Sequence, residues 1–407
     1  MKIYQVGGAV RDKLLQKKPN DCDYVVIGAT VAEMQQQGYI QVGKGFPVFL
    51  HPATKEEYAL ARKEIKTGDK HTDFQFVFTP DITLKEDLER RDFTCNAIAY
   101  DEESGEYYDY FNGREDIKNK VLRMVNEQHF SEDPLRVLRL CRFAAQLDFK
   151  VDSHTLEVCK KMVSTGMLNY LPWERVWAEV LKAMRSSAFY KFIELARQIG
   201  ALKFILPEVD ILWQVPEKVK YHPEGNTGGH VLSALQAAKN ESALVKFGIL
   251  LHDVGKALTP KEELPSHKNH EMRGSEPVYQ ACNRLKAPNR FRLFANMARA
   301  QHMKFHRIPE MRVGSLYNLA CAMIIGHTNY VNEYIAVCRA DLMSSTHTEA
   351  DLITFEQSAQ KLRNACEIIL SAKAADMPHF TELPRDESFK ERLRDYKIRL
   401  LRDKLTF

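Results

Sequence analysis

Around Ser131 the hydrophobic pattern of this chain changes period, and that change limits the folds open to it. Before it, short β-branched and aromatic runs end in charged or Pro/Gly punctuation: Tyr24-Val25-Val26-Ile27, then residues 46–51 and 57–62. Residues 74–78 alternate aromatic and other side chains, as a further strand or a loop edge would. After Ser131 the rhythm is i, i+3, i+4, in Leu135-Leu138-Phe143-Leu147 and again in Val176-Val180-Leu181-Met184. Strand signals do not return. The expected fold is therefore α+β: an α/β head followed by an all-α neck and body. Two stretches with clustered prolines and polar residues, 207–227 and 257–273, read as boundaries.

At 407 residues the chain is long enough for two to four compact units. No apolar run approaches the roughly 20 residues of a membrane span, and Arg11 and Asp12 come too early for a signal peptide. The 8 cysteines stand singly, without a C-x-x-C pair, so a zinc ribbon or a disulfide framework is not expected and a reduced cytoplasm is. Lys and Arg total 58 against 54 Asp and Glu, a net charge of +4. That balance permits nucleic-acid binding only if positive charge is gathered in one groove. Residues 385–407 form a basic amphipathic end whose first reading is a solvated face over an apolar stripe.

The chemistry begins with Val6-Gly7-Gly8-Ala9-Val10-Arg11-Asp12, followed by Asp21-Cys22-Asp23 leading into Tyr24-Val25-Val26-Ile27. On a strand, residues i and i+2 face the same side, so Asp21 and Asp23 project together. Two adjacent carboxylates repel, and a divalent cation relieves that best. Paired oxygens with room to spare suit Mg²⁺, and with it attack of a hydroxyl on an α-phosphate with loss of pyrophosphate. Gly7 and Gly8 ahead of a helix let backbone N–H groups approach a triphosphate, and Arg11 adds charge one turn on.

GGAVRD followed by DCDYVV resembles the nucleotidyltransferase signature of the class II tRNA nucleotidyltransferases, the CCA-adding enzymes, and of the related bacterial poly(A) polymerases. Further motifs follow in order: Arg90-Arg91-Asp92 with Asn96-Ala97, then Glu132-Asp133-Pro134-Leu135-Arg136, then Glu174-Arg175-Val176-Trp177-Ala178-Glu179. The resemblance covers roughly residues 1–220. It implies a polymerase-β-like head in which Asp21 and Asp23 are catalytic and hold Mg²⁺, Gly8 and Arg11 bind the triphosphate, and Arg91 and Asp92 bind phosphates and ribose. Glu57 stands at the family's third strand carboxylate, a metal or general-base helper or simply an exposed glutamate. Residues 42–51 look like the CCA-adding group rather than the polymerases.

The spacing after Ser131 can choose a base. Ser131 reads as an N-cap, Glu132 and Asp133 as an acidic first turn, and Pro134 as a residue whose missing N–H does no harm there. Asp133 and Arg136 are then i, i+3 neighbours, with Arg139 on the same face. An aspartate accepts from an exocyclic amino group while an arginine donates to a ring acceptor, which fits cytosine and adenine and not uracil or guanine. In the family this pair resembles, Asp133 and Arg136 read the base and Arg139 contacts the nucleotide.

A second chemistry lies downstream: His230, then His252-Asp253 closing an apolar run, and later Asp341. This order resembles the HD-domain metal-dependent phosphohydrolases. It implies a ligand set of His230, His252, Asp253 and Asp341 for a divalent metal, nickel or magnesium, with His270 as a phosphate or second-metal residue. The roles of His267, His302 and His306 stay open.

The expectation is thus a cytoplasmic enzyme, monomer or homodimer, that adds the 3′-terminal CCA of tRNA from CTP and ATP. A phosphohydrolase acting on 2′,3′-cyclic and 2′-phosphates, and on other phosphomonoesters, accompanies it. The segments expected are a head (1–130), a neck (131–222), an HD domain (223–345) and a helical tail (346–407). Rivals are a poly(A) polymerase, a CC- or A-adding enzyme, and an HD phosphohydrolase with a vestigial head.

Overall fold

A computed structural model of the chain describes residues 1–19, 21–42, 47–66, 74–377 and 388–405. It divides into two compact units, Met1–Arg175 with Gln198–Ala201, and Val176–Arg197 with Leu202–Phe407. Both proline-bearing stretches taken as boundaries, 207–227 and 257–273, lie inside the second unit. They hold turns and short 3-10 segments rather than linkers, because their polar residues are bonded into loops.

The first unit is built on a sheet of strands β1 (Lys2–Val6), β2 (Asp23–Ile27), β3 (Ile40–Val42), β4 (Val48–Leu50) and β5 (Glu57–Leu60), while β6 (Lys63–Lys66) and β7 (Phe74–Val77) form a separate antiparallel pair. With β8 (Ala99–Tyr100) and β9 (Tyr107–Tyr108) the seven-stranded order is β3-β4-β5-β2-β1-β8-β9. Central β2 runs antiparallel to β1 and parallel to β5, with Asp23 opposite both Val6 and Glu57. Alternation along β2 sorts its side chains onto two cores. Val25 joins Tyr4, Val6, Leu88, Ala97 and Ala99 on one face; Tyr24 and Val26 join Met34, Phe49, Tyr58 and Leu60 on the other. Tyr24 and Tyr58 stack with ring centroids 4.5 Å apart. The expected strands at 46–51 and 57–62 are present in shortened form, and the tip residues 43–46 of the segment 42–51 lie outside the described residues.

Beyond the sheet the chain is mainly helical, as its period implies, but strand pairing does return: Val121–Leu122 pairs with Lys150–Val151, and Ile324–Ile325 with Thr328–Asn329. These two-residue ladders fall below what alternation can signal. Among the described residues no helix is long and apolar enough to cross a membrane. The basic end forms the helix Ser388–Lys404, which buries Leu401 and leaves most of its charge outward.

One close approach sets the head's geometry. The 3-10 turn Thr94–Asn96 lies against the helix Gly113–Asn119, and a Cβ at Gly113 would stand 2.2 Å from the Thr94 carbonyl oxygen. Gly113→Ala must push that turn aside. Overpacking of this kind costs about 1–3 kcal/mol, so the denaturant midpoint of the variant is expected to fall, and an unchanged midpoint would contradict the packing described.

Candidate active site and metal centre

In the head, β1 ends at Val6 and the chain turns through Gly7, at φ +74°, into the helix Gly8–Leu14. A side chain at Gly7 would be strained, and its Cβ would meet the Arg91 guanidinium at 3.2 Å. Arg91 thus stands over the glycine turn. Across it, Asp23 opens β2, and Asp21 lies just before the strand rather than within it. The two carboxylates nevertheless act on each other: crowding by protein raises the pKa of Asp23, Asp21 adds to the rise, and Arg91 opposes it. A crowded carboxylate pair with one arginine nearby suits a divalent cation. Glu57 sits beside Asp23 in the parallel register and is exposed.

Arg11 is buried, its guanidinium donating to Asp12 at 2.8 and 2.9 Å and to Asn96 at 2.7 Å. Asn96 passes the connection on, donating to Asp92 at 3.0 Å, and Arg139 grips the other oxygen of Asp92 at 2.5 and 2.8 Å. These contacts outweigh the burial of Asp92 and lower its pKa to about 2, so it is an anion under ordinary conditions. Phe143 lies inside this circuit, with the guanidinium carbons of Arg11, Arg142 and Arg139 at 5.2, 3.9 and 5.4 Å from its ring centre. Asp87, fully buried, holds both Arg90 (2.6 Å) and Arg91 (3.1 Å) from the helix Leu84–Glu89.

The base-reading segment differs locally from the sequence expectation. Ser131 belongs to a preceding helix, Glu127–Glu132, capped by Asn126. The helix Leu135–Leu147 starts only after Pro134, with Asp133 accepting from the Leu135 N–H at 3.0 Å. Asp133 and Arg136 are not a helical ion pair. Asp133 pairs with Arg175 at 2.9 Å, while Arg136 donates to the carbonyls of His129 and Arg90, each at 2.6 Å. Pro134 breaks the turn that would have placed them on one helical face.

In the second unit, four elements converge. His230 comes from the helix Thr227–Ala237, His252 and Asp253 from the end of Ala243–Leu251, His302 and His306 from the end of Asn289–Phe305, and Asp341 from Val331–Met343. His270 is added by a short helix that can approach only because residue 255 is glycine, where a Cβ would stand 2.0 Å from the His270 carbonyl oxygen. His230 Nε2 lies 3.0 Å from Asp341, and His252 Nε2 3.2 Å from Asp253. His270 and His302 face Asp253 Oδ1 at 3.1 and 3.5 Å, and their Nε2 atoms are 3.0 Å apart. His306 reaches Asp341 at 3.6 Å, and His267 turns away to Thr259 and the Pro216 carbonyl.

His252, His270 and His302 each direct Nδ1 at a backbone carbonyl, which fixes Nδ1 as the donor and turns Nε2 inward. His230 Nε2, His252 Nε2 and Asp253 Oδ1 are buried without a well-aligned hydrogen bond. Burial works against charge on His252, yet Asp253 and Asp341 lift its pKa to about 10. Buried ligand atoms turned on one another without an aligned hydrogen bond suit a cation site. Two groups meet the spacing, His230-His252-Asp253 and Asp253-His270-His302, sharing Asp253. They open on a cleft of about 410 Å³ with Lys218, Tyr221, His222 and Lys268 in its wall. The resemblance names His270 as a phosphate or second-metal residue and leaves His302 open; Glu217, Asp87 and Phe143 carry no motif.

A sheet with a carboxylate pair beside a glycine turn, followed by a helical body, defines a nucleotidyltransferase head on a helical carrier. Residues 3–123 match the family described as Poly A polymerase head domain, and residues 148–212 the one described as probable RNA and SrmB-binding site of polymerase A. Over the whole chain, the Multifunctional CCA protein of Acinetobacter baumannii (strain ATCC 17978) is 42% identical, covering 98% of this chain and 97% of its own. The Multifunctional CCA protein of Vibrio vulnificus (strain YJ016) is 46% identical over 84% of this chain and 85% of its own. The chain belongs to the multifunctional CCA protein family. Its fold is also that of solved CCA-adding enzymes. One, in complex with ATP, matches at TM-score 0.64 and 19% identity over 98% of this chain and 85% of its own. A Thermotoga maritima enzyme complexed with tRNA matches at TM-score 0.64 and 18% identity over 100% and 88%.

The raised pKa of Asp23 has a measurable consequence. Its carboxylate is disfavoured in the folded head, a cost absent below the unfolded value near 3.8 and fully present above the folded one. Asp23→Asn is therefore expected to raise the thermal midpoint of the metal-free protein at pH 7, with the gain vanishing toward pH 3. A midpoint that falls at pH 7 would contradict the repulsion described.

Proposed function

We propose that this chain builds and repairs the 3′-terminal CCA of tRNA from CTP and ATP, releasing pyrophosphate, and that its helical half hydrolyses phosphoesters at a separate metal centre. The observation that carries the first activity is the Asp21–Asp23 pair facing Arg91 across the Gly7 turn. It is a cation site with a phosphate-binding guanidinium beside it. Asp21 and Asp23 would hold Mg²⁺, which when bound screens the negative α-phosphate from the attacking 3′-hydroxyl. The backbone at Gly8 and the side chain of Arg11 would receive the triphosphate, and Arg91 and Asp92 the phosphates and ribose. Arg139, through its ion pair to Asp92, would join the ribose contact to the base-reading helix.

Asp133 would accept from the amino group of cytosine or adenine and Arg136 would donate to the adjacent acceptor, so the protein itself selects the base. Arg175, the present partner of Asp133, is half exposed and free to yield to a base. The helical body would hold the tRNA acceptor arm through phosphate contacts, making affinity fall with salt. Near-complete coverage by multifunctional CCA relatives favours this over a poly(A) polymerase, which shares the head family. The four segments 1–130, 131–222, 223–345 and 346–407 are proposed as its working parts.

For the second centre, His230, His252, Asp253 and Asp341 would hold one divalent ion, nickel or magnesium, and Asp253, His270 and His302 a neighbouring one. The inward ligand atoms, buried without aligned hydrogen bonds, support that reading. A metal there supplies an activated water near neutral pH, and Lys218 and Lys268 in the cleft wall would attract a phosphate. The substrates that fit are 2′,3′-cyclic and 2′-phosphate ends. A cytoplasmic setting follows from both substrates.

The two halves are expected to separate cleanly. Asp21→Ala should lower nucleotide addition to a tRNA transcript lacking CCA by at least about a thousandfold, the scale of losing an essential catalytic electrostatic group, and leave release of phosphate from a 2′-nucleotide unchanged. Asp253→Asn should do the reverse. Addition surviving in Asp21→Ala would refute the head assignment, and hydrolysis surviving in Asp253→Asn would refute the second centre.

A further inference from the structure

A buried ion-pair chain runs away from the second centre and belongs to no motif. Lys256, the residue after the glycine that admits His270, is buried with its Nζ 2.8 Å from Asp253 Oδ2. That oxygen is the one His252 and His230 approach, at 3.2 and 3.7 Å. The same ammonium lies 2.8 Å from Glu217 Oε1, and the Thr227 hydroxyl donates to that oxygen at 2.9 Å. Glu217 is itself buried although it comes from the irregular stretch after Val215, pinned by the bridge between Pro216 and Asn226 and by its own N–H to the Gly225 carbonyl. A glutamate is rarely buried unless paired, and a loop has no packing reason to bury one.

The electrostatics explain why it is there. A lone ammonium against a donor oxygen would oppose any cation bound by that oxygen. Asp253, Asp341 and Glu217 together set three carboxylates against the one ammonium of Lys256, which leaves a surplus of two negative charges facing the centre. Without Glu217 only one would remain, and the ammonium would turn its undivided charge on Asp253. We infer that Glu217 is a positioning residue for the metal centre: it shares the Lys256 ammonium with Asp253 and restores the negative charge that a bound divalent cation requires. This rests on reading the centre as a metal site. Lys256 in turn orients the Asp253 carboxylate, while Thr227, on the helix that carries His230, couples Glu217 to the opposite side of the centre.

The test is a Mn²⁺ titration by calorimetry in a chain whose head carboxylates Asp21 and Asp23 are both replaced by Ala, so that binding reports the second centre. Removing outer partners of metal ligands costs about 10–100-fold in affinity, and Glu217→Gln is expected to weaken Mn²⁺ by at least about tenfold. Glu217→Asp, which keeps the charge, should stay much closer to the parent. Adding Lys256→Met to Glu217→Gln should recover most of the loss, because the uncompensated ammonium is then gone. Thermal melts establish that each variant is folded, and Glu217→Asp carries the comparison if the double variant is not. Parent-like binding by Glu217→Gln would overturn the inference, as would a loss in Glu217→Gln that Lys256→Met does not relieve or a Glu217→Asp as weak as Glu217→Gln. Parent binding that is absent, or indifferent to Asp253→Asn, would instead overturn the metal reading beneath it.

Discussion

Carboxylates crowded together in protein need positive charge, and both halves of this chain are organised by how that need is met. In the head, Asp23 stands between Asp21 and Glu57 with Arg91 as the nearby cation, so the pair is left partly unsatisfied. In the helical half, Asp253 and Asp341 are surrounded by imidazoles whose Nε2 atoms point inward. In each case the fold spends stability to keep donors unpaired, which is how binding sites differ from cores. Some of the polar groups around these donors are tightly paired. Asp87 and Asp92 fix the arginines of the head, and Glu217 and Lys256 close the far side of the second centre.

The head circuit also links two tasks. Arg11 reaches Asn96, Asn96 reaches Asp92, and Asp92 reaches Arg139, with Phe143 filling the space between the guanidinium groups. Arg11, Asp92 and Arg139, proposed for triphosphate, ribose and nucleotide, are thereby joined in one bonded set, which would pre-organise that part of the site. A nucleotide held by one part meets the others already in position.

What could be read from the sequence was chemistry packed into short spans. The Asp21–Asp23 pair and the Gly7-Gly8 turn lie close in the chain, so spacing suggested their roles, and the adjacent His252-Asp253 dyad carried a family resemblance. Period gave the central strand and most helices, but it did not mark Lys2–Val6, Ile40–Val42 or Lys63–Lys66, nor the ladders two residues long. Two local details went the other way. Pro134 starts a new helix instead of lying in the first turn of one capped by Ser131, and Asp133 therefore turns to Arg175 rather than to Arg136. Glu217 carried no signal because its partner is fixed only by the fold: it meets Lys256 across 39 residues, and a buried loop glutamate looks like any surface one; Asp87, with its arginines three and four residues on, reads as an ordinary helical ion pair. His302 was legible as a histidine but not as a ligand, since its partner His270 lies 32 residues away.

The central claim is that protein side chains choose the nucleotides, and the order of addition tests it most directly. A tRNA transcript ending before its CCA would be incubated with the enzyme, Mg²⁺ and all four nucleoside triphosphates at equal concentration, and the product ends sequenced. The account predicts C, C and A in that order, followed by arrest, with uridine and guanosine scarcely incorporated. A run of adenosines, or all four nucleotides at comparable frequency, would contradict it.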